Sequence, residues 1–60
     1  MSNNSLREYW AGYRAAKRDN EECGFSYVVR QYSYGLNGKT RAWEKGYFDF
    51  MQKTKKKLEA

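Results

Sequence analysis

An all-α fold is what this sequence predicts: a two-helix αα-hairpin whose helices are joined by a long ordered connection. Three observations carry that expectation. Apolar and aromatic residues recur at three- and four-residue steps in both outer thirds of the chain. Helix-capping chemistry stands at the start of each of those stretches. The sequence between them does not alternate strictly, and a lone strand there would have no partner to pair with. Sixty residues hold a single small domain (1–60), and a chain this short buries only about 60% of the surface its unfolded form exposes.

The first helix is expected over residues 5–19. Ser5 and Glu8 have the spacing of a capping box, in which each side chain satisfies a free backbone donor at the helix start. Leu6, Trp10, Tyr13 and Lys17 follow the helical period and form the stripe expected to face the core. Arg7, Arg14 and Arg18 form a second arc beside it. Asp19-Asn20, and then Gly24, supply stop signals.

The connection spans residues 20–39. Within "FSYVVRQYSYGLN" the valines and aromatics have β-propensity, while Gly35 and Asn37-Gly38 supply turn chemistry. Val28 and Val29 are adjacent, which breaks alternation. An ordered loop is expected, with room for one extended or short helical piece. The second helix is expected over residues 40–58, with Thr40 as its N-cap. Trp43, Tyr47, Phe50, Met51, Thr54 and Leu58 fill one face, and Arg41, Lys45, Gln52 and Lys56 the opposite one. The basic run "KTKKK" complements the negative end of the helix dipole.

Each predicted helix contains a glycine directly before a tyrosine and close behind a tryptophan: "WAGY" ends in Gly12-Tyr13 and "WEKGY" in Gly46-Tyr47. A mid-helix glycine costs about 1 kcal/mol relative to alanine. The compensation expected here is close approach, with Trp10 and Tyr13 packing across Gly46, and Trp43 and Tyr47 across Gly12. The alternative is that both glycines face solvent and are tolerated.

"AGYRAA", followed by a cysteine-aromatic region and then "RAWEKGY", resembles the ribosome modulation factor family over residues 9–51. Gly12, Ala15, Trp43, Gly46 and Tyr47 match that family's glycine-x-x-alanine and tryptophan-x-x-glycine-aromatic steps, and Cys23 matches its cysteine. The family's proline after the cysteine is absent, and "VVRQYSYGLNG" lengthens the segment before the tryptophan. The resemblance implies a small basic two-helix protein that binds the small ribosomal subunit through its RNA, near the messenger's docking region, and favours inactive ribosome dimers. Translation regulation by ribosome hibernation is the activity it implies.

Several chemistries are set aside by the residue inventory. The chain has no histidine, the commonest general base near neutral pH, so no enzyme is expected. Glu21 and Glu22 are adjacent, and Glu44 and Asp49 lie off one another's helical face, so all four read as solvated carboxylates. One cysteine without histidine excludes an internal disulfide and a structural zinc site. Cys23 is expected to be a buried structural thiol. "YGLNGKT" spaces its glycines too closely for a nucleotide-hydrolysing loop, although Lys39 there can hold a single phosphate. No cofactor and no metal are expected.

Net charge is +5, from 12 Lys and Arg against 7 acids, which favours a polyanionic partner. RNA binding is the leading expectation. Its residues would be Arg7, Arg14, Lys17 and Arg18 on the first helix and Arg30, Tyr32 and Tyr34 in the connection. Lys39, Arg41 and Lys45 at the start of the second helix complete the set. Arginine neutralises phosphate and stacks on bases, and tyrosines amid positive charge suit unpaired RNA. The plainer alternatives are a solvated arginine face and tyrosines that fill the core.

The partner expected is therefore the ribosome or its RNA. A second class is a small regulator that grips a host protein, of the kind phages and mobile elements encode, since Tyr, Trp and Arg dominate interface hot spots. Pairing with a second copy is also within reach of a chain this size. Membrane-surface binding by the basic C-terminal helix ranks last, because its lysines are spread around the helix and Trp43 lies far from "KTKKK"; no apolar run approaches the roughly 20 residues of a span. The opening "MSNNS" lacks the charged-then-apolar order of a signal peptide, so a cytoplasmic location is expected.

Overall fold

The computed structural model describes residues 3–36 and 38–59. They form three helices, α1 (Asn3–Cys23), α2 (Phe25–Tyr34) and α3 (Arg41–Glu59), and no strand among the described residues. The all-α expectation holds. The two-helix hairpin does not, because half of the expected connection folds as α2.

The reason lies in the spacing of the apolar residues. Phe25, Val28, Val29 and Tyr32 stand at i, i+3, i+4 and i+7, and a helix places them along one side. Val28 is fully buried, with Phe25 and Tyr32 packed beside it. Burial against α1 and α3 thus overrides the β-propensity of the valines. Asn37 of the expected Asn37-Gly38 turn lies outside the described residues.

α1 differs from expectation at both ends. The chain is already helical at Asn3, so Ser5 lies within the helix and does not cap it. Glu8, its expected capping partner, instead accepts a hydrogen bond from the Thr40 hydroxyl at 3.3 Å. At the other end the helix runs through Asp19-Asn20 to Cys23. Asp19 does not compete for its own backbone, since its carboxylate accepts the Tyr47 hydroxyl across the interface at 2.9 Å. The break falls at Gly24, whose φ of 96° ends α1 and lets α2 begin at the next residue. Cys23 is exposed and free, which corrects the expectation of a buried thiol.

Thr40 caps α3 as expected, accepting the Trp43 backbone N–H at 3.2 Å. Of the α3 stripe, Tyr47 and Met51 are buried and Trp43, Phe50 and Thr54 half-buried, while Leu58 is exposed. The core is four side chains, Ala16, Val28, Tyr47 and Met51, with Phe25, Trp43, Phe48 and Phe50 among those packed around it.

α1 meets α3 through the two glycines. A Cβ on Gly12 would fall on the Trp43 carbonyl oxygen and 2.8 Å from its carbon. A Cβ on Gly46 would fall on the Tyr9 carbonyl oxygen and 2.9 Å from the Tyr13 nitrogen. Close approach is therefore real, but backbone, and not the expected aromatic rings, occupies the space the glycines leave. The same contact rotates α1 relative to expectation: Gly12 and Ala16 face inward. Leu6 and Trp10, expected to be core, are 63% and 45% exposed, and Lys17 is exposed as well.

Candidate nucleic-acid interface

Every one of the twelve Lys and Arg side chains is exposed. Among the described residues a single ion pair forms, Lys45 to Asp49 at 3.8 Å along one turn of α3. Two carboxylates, Asp49 and Asp19, are engaged by tyrosine hydroxyls. Tyr9 donates to Asp49 Oδ2 at 2.5 Å, and Tyr47 donates to Asp19 Oδ2 at 2.9 Å. Both phenols consequently ionise above the usual tyrosine range. For Tyr9 the hydrogen bond to Asp49 is the leading cause. For Tyr47 it is burial, followed by the bond to Asp19.

α1 carries four exposed cations, Arg7, Arg14, Lys17 and Arg18, and the end of α3 carries four more in Lys53, Lys55, Lys56 and Lys57. Arg7, Arg14 and Arg18 lie on the side of the helix away from Gly12, about 120–160° from it at 100° per residue. Ala11 and Ala15 give this side a low floor, and Arg14, Lys17 and Arg18 stand around it, with Glu21 at the end of the resulting hollow. Arg14 and Arg18 are one turn apart, a like-charge spacing that weakens an isolated helix by a few tenths of a kcal/mol. An anion lying in the hollow would remove that repulsion.

Arg30 and Tyr34 sit on the exposed side of α2, one turn apart, with Tyr27 one turn before Arg30. Tyr34 is 74% exposed and presents its ring to solvent. Tyr32 does not: it is half-buried and packs on Phe48 with ring centroids 5.3 Å apart. Lys39 extends over the Trp43 indole, 5.0 Å from its centroid. Arg41 opens α3 on the side away from the core, and Lys45 beside it is the cation shared with Asp49.

The predicted residues therefore do not converge on one patch. The α1 arginines and Arg41 look outward on opposing sides of the helix crossing, while Arg30 and Tyr34 occupy the back of α2. A different convergence has no counterpart in any local sequence pattern. Asp19, Gln31, Leu36, Lys39, Trp43 and Tyr47 come together from all three helices and the connection around a cavity of about 300 Å³. Trp43 and Tyr47 stack within it, centroids 5.4 Å apart and planes 19° from parallel. Only α2, which a two-helix hairpin lacks, brings Gln31 to Asp19.

The fold and surface define a class: a small all-helical protein with a cationic exterior and an aromatic interior. Among the described residues no group of acids and cysteine could hold a metal ion, and no helix is long and apolar enough to cross a membrane. No family model, no curated protein and no solved structure matches this chain.

Proposed function

We propose that this chain is a small basic RNA-binding protein that engages ribosomal RNA of the small subunit and modulates ribosome activity. The observation that carries the RNA reading is the exposed set of cations, of which Lys45 alone forms an ion pair among the described residues, with Asp49, while Asp19 is held by Tyr47. Such a surface binds phosphates by releasing their counterions. The α1 hollow, low at Ala11 and Ala15 and flanked by Arg14 and Arg18, accommodates a sugar-phosphate strand. Tyr34 and Arg30 on α2 offer a stacking surface for unpaired bases. The ribosomal target rests on the resemblance to ribosome modulation factor carried by Gly12, Ala15, Trp43, Gly46 and Tyr47.

Sedimentation with ribosomal subunits over a salt series tests this reading. Binding at low salt, with log affinity falling linearly in log salt, is the expected result. No association with either subunit or with purified ribosomal RNA at low salt would remove it.

The second reading, a regulator that binds a host protein, draws on the exposure of Leu6 and Trp10 on α1. Leu6 and Trp10 stand one turn apart, so they form one exposed apolar spot, and aromatic residues are enriched in interface cores. Affinity purification from nuclease-treated cells decides between the two: one stoichiometric protein retained without RNA favours the regulator.

A further inference from the structure

We infer that the open cavity lined by Asp19, Gln31, Lys39 and Trp43 is a pocket for a single unpaired guanine base, an inference that rests on the RNA-binding reading and gives it a sequence preference. At about 300 Å³ the cavity lies at the small end of ligand sites. It is separate from the α1 arginine hollow and draws on every helix of the fold.

Its chemistry is that of a base-reading site. The Asp19 carboxylate is anchored, because its Oδ2 accepts the hydroxyl of Tyr47, a side chain only 1% exposed. Its Oδ1 accepts no hydrogen bond among the described residues, and Oδ2 keeps a second lone pair. Two adjacent acceptor positions at a fixed place require two adjacent donors. Guanine alone among the four RNA bases offers them, as N1–H beside the N2 amino group. Adenine would turn its N1 lone pair toward the carboxylate, cytosine its N3 lone pair, and uracil a carbonyl on each side of its single N3–H. Each of those arrangements sets an unshared pair against a negative charge.

The other walls fit the rest of a guanylate. Trp43 supplies an aromatic surface on which a base can stack. The Lys39 ammonium now stands over that indole, held by a cation–π attraction that is weak at an exposed site. A purine entering over the ring displaces the ammonium to its own phosphate, where the charge-assisted bond is stronger. The Gln31 amide can donate to guanine O6 or N7.

The test uses the full chain carrying Trp10→Phe, which leaves Trp43 as the one tryptophan to report. Guanosine and adenosine 5′-monophosphates, and the pentanucleotides UUGUU and UUAUU, are titrated while its fluorescence is followed. The expected result is quenching by the guanylates with an affinity about tenfold or more above that for their adenine counterparts. Asp19→Asn should abolish that preference. Because Asp19 also anchors Tyr47, the variants Gln31→Leu and Lys39→Ala, neither in the core, are measured with it. They should weaken guanylate binding while helicity is unchanged. Equal affinity for UUGUU and UUAUU in a protein that still binds ribosomal RNA would overturn the pocket alone. Failure to bind any of the nucleotides or ribosomal RNA would overturn the pocket and the RNA reading together. A guanine preference in a protein that does not bind ribosomal RNA would keep the pocket and discard the ribosomal target.

Discussion

The backbone of Gly12 rests directly on the carbonyl of Trp43, and the reciprocal contact sets Gly46 on the carbonyl of Tyr9. Each glycine thus lies on the residue three positions before the other. The arrangement brings two helix backbones to a separation that no side-chain-bearing residue allows, where Cα–H groups can approach carbonyl oxygens. It also determines the rest of the fold. With α1 and α3 this close, Ala16 and Tyr47 share one small core that α2 covers through Val28.

Alanine at Gly12 or Gly46 should therefore destabilise the protein. The gain in helix propensity is about 1 kcal/mol. Against it stands a methyl group driven into facing backbone, which cannot rotate away as a side chain would; overpacking of this kind costs about 1–3 kcal/mol or more. Rigid backbone at the contact puts the cost at the upper end of that range, so the net loss is about 2 kcal/mol, which lowers the melting temperature of so short a domain by roughly 10 °C. Gly24→Ala is the contrast. Nothing stands within 4 Å of its Cβ position, yet φ is +96° with ψ 166°, a region essentially confined to glycine, so a backbone penalty of about 1–3 kcal/mol applies without any clash. Thermal unfolding followed by circular dichroism ranks the three. A higher melting temperature for Gly12→Ala would contradict the contact.

The outer helices were legible because their signals are local. Thr40 caps α3 as its residue type and position imply, and the period of Tyr47 and Met51 marks the buried side. The glycine approach was legible as a spacing, since two costly glycines beside aromatics need a reason. Other features were set by tertiary contact. Valine propensity concealed α2, although Phe25, Val28, Val29 and Tyr32 already had the helical period. On α1 the apolar stripe through Leu6 and Trp10 looked like the core side, but the glycine contact turned Gly12 and Ala16 inward. Asp19 read as a stop signal until Tyr47 supplied it with a partner. The candidate cavity depends on all of these at once, and for that reason no local pattern announced it.

Thr40 joins two structural tasks in one hydroxyl, capping the Trp43 N–H and donating to Glu8 on α1. Thr40→Ala should cost about 1 kcal/mol, the typical loss of an N-cap. Thr40→Ser should retain nearly all of it, since serine keeps the oxygen. Urea denaturation of the two variants measures the difference. The Glu8 contact is exposed, so Glu8→Gln should change stability little.

Tyr47 predicts a loss of stability in alkali. Its folded-state pKa is raised by burial and by the bond to Asp19, while in the unfolded chain it ionises near 10. The folded state therefore holds this proton more tightly, and the stabilisation is complete below about pH 10. Above that pH the unfolded state releases the proton first, and stability falls by at most about 1.4 kcal/mol per pH unit for this one group. Tyr9 is shifted in the same direction by Asp49. Tyr47→Phe should be less stable than the parent at neutral pH, having left Asp19 without its donor, and should decline less steeply above pH 10. Parallel denaturation curves at pH 7, 9, 10 and 11 give both numbers. Equal alkaline slopes would show that Tyr47 ionises freely in the folded protein.

Charge reversal separates the outward faces. Arg14 on α1 and Arg41 on α3 are both exposed and neither takes part in an ion pair among the described residues, so Arg14→Glu and Arg41→Glu should leave the helical signal unchanged and the stability within about 0.5 kcal/mol of the parent. Each should weaken binding to ribosomal RNA. Arg14→Glu should have the larger effect, since it places a negative charge in the hollow that Lys17 and Arg18 share. It should also reduce the steepness of the salt dependence by about one phosphate contact or more. Because the two arginines look outward on opposing sides, the double variant distinguishes two modes of binding. Additive losses mean that RNA contacts both faces of the protein, whereas a double variant no worse than Arg14→Glu confines the contact to α1. Unchanged affinity in both single variants would remove these residues from the interface and leave the exposed Leu6 and Trp10 as the surface to pursue.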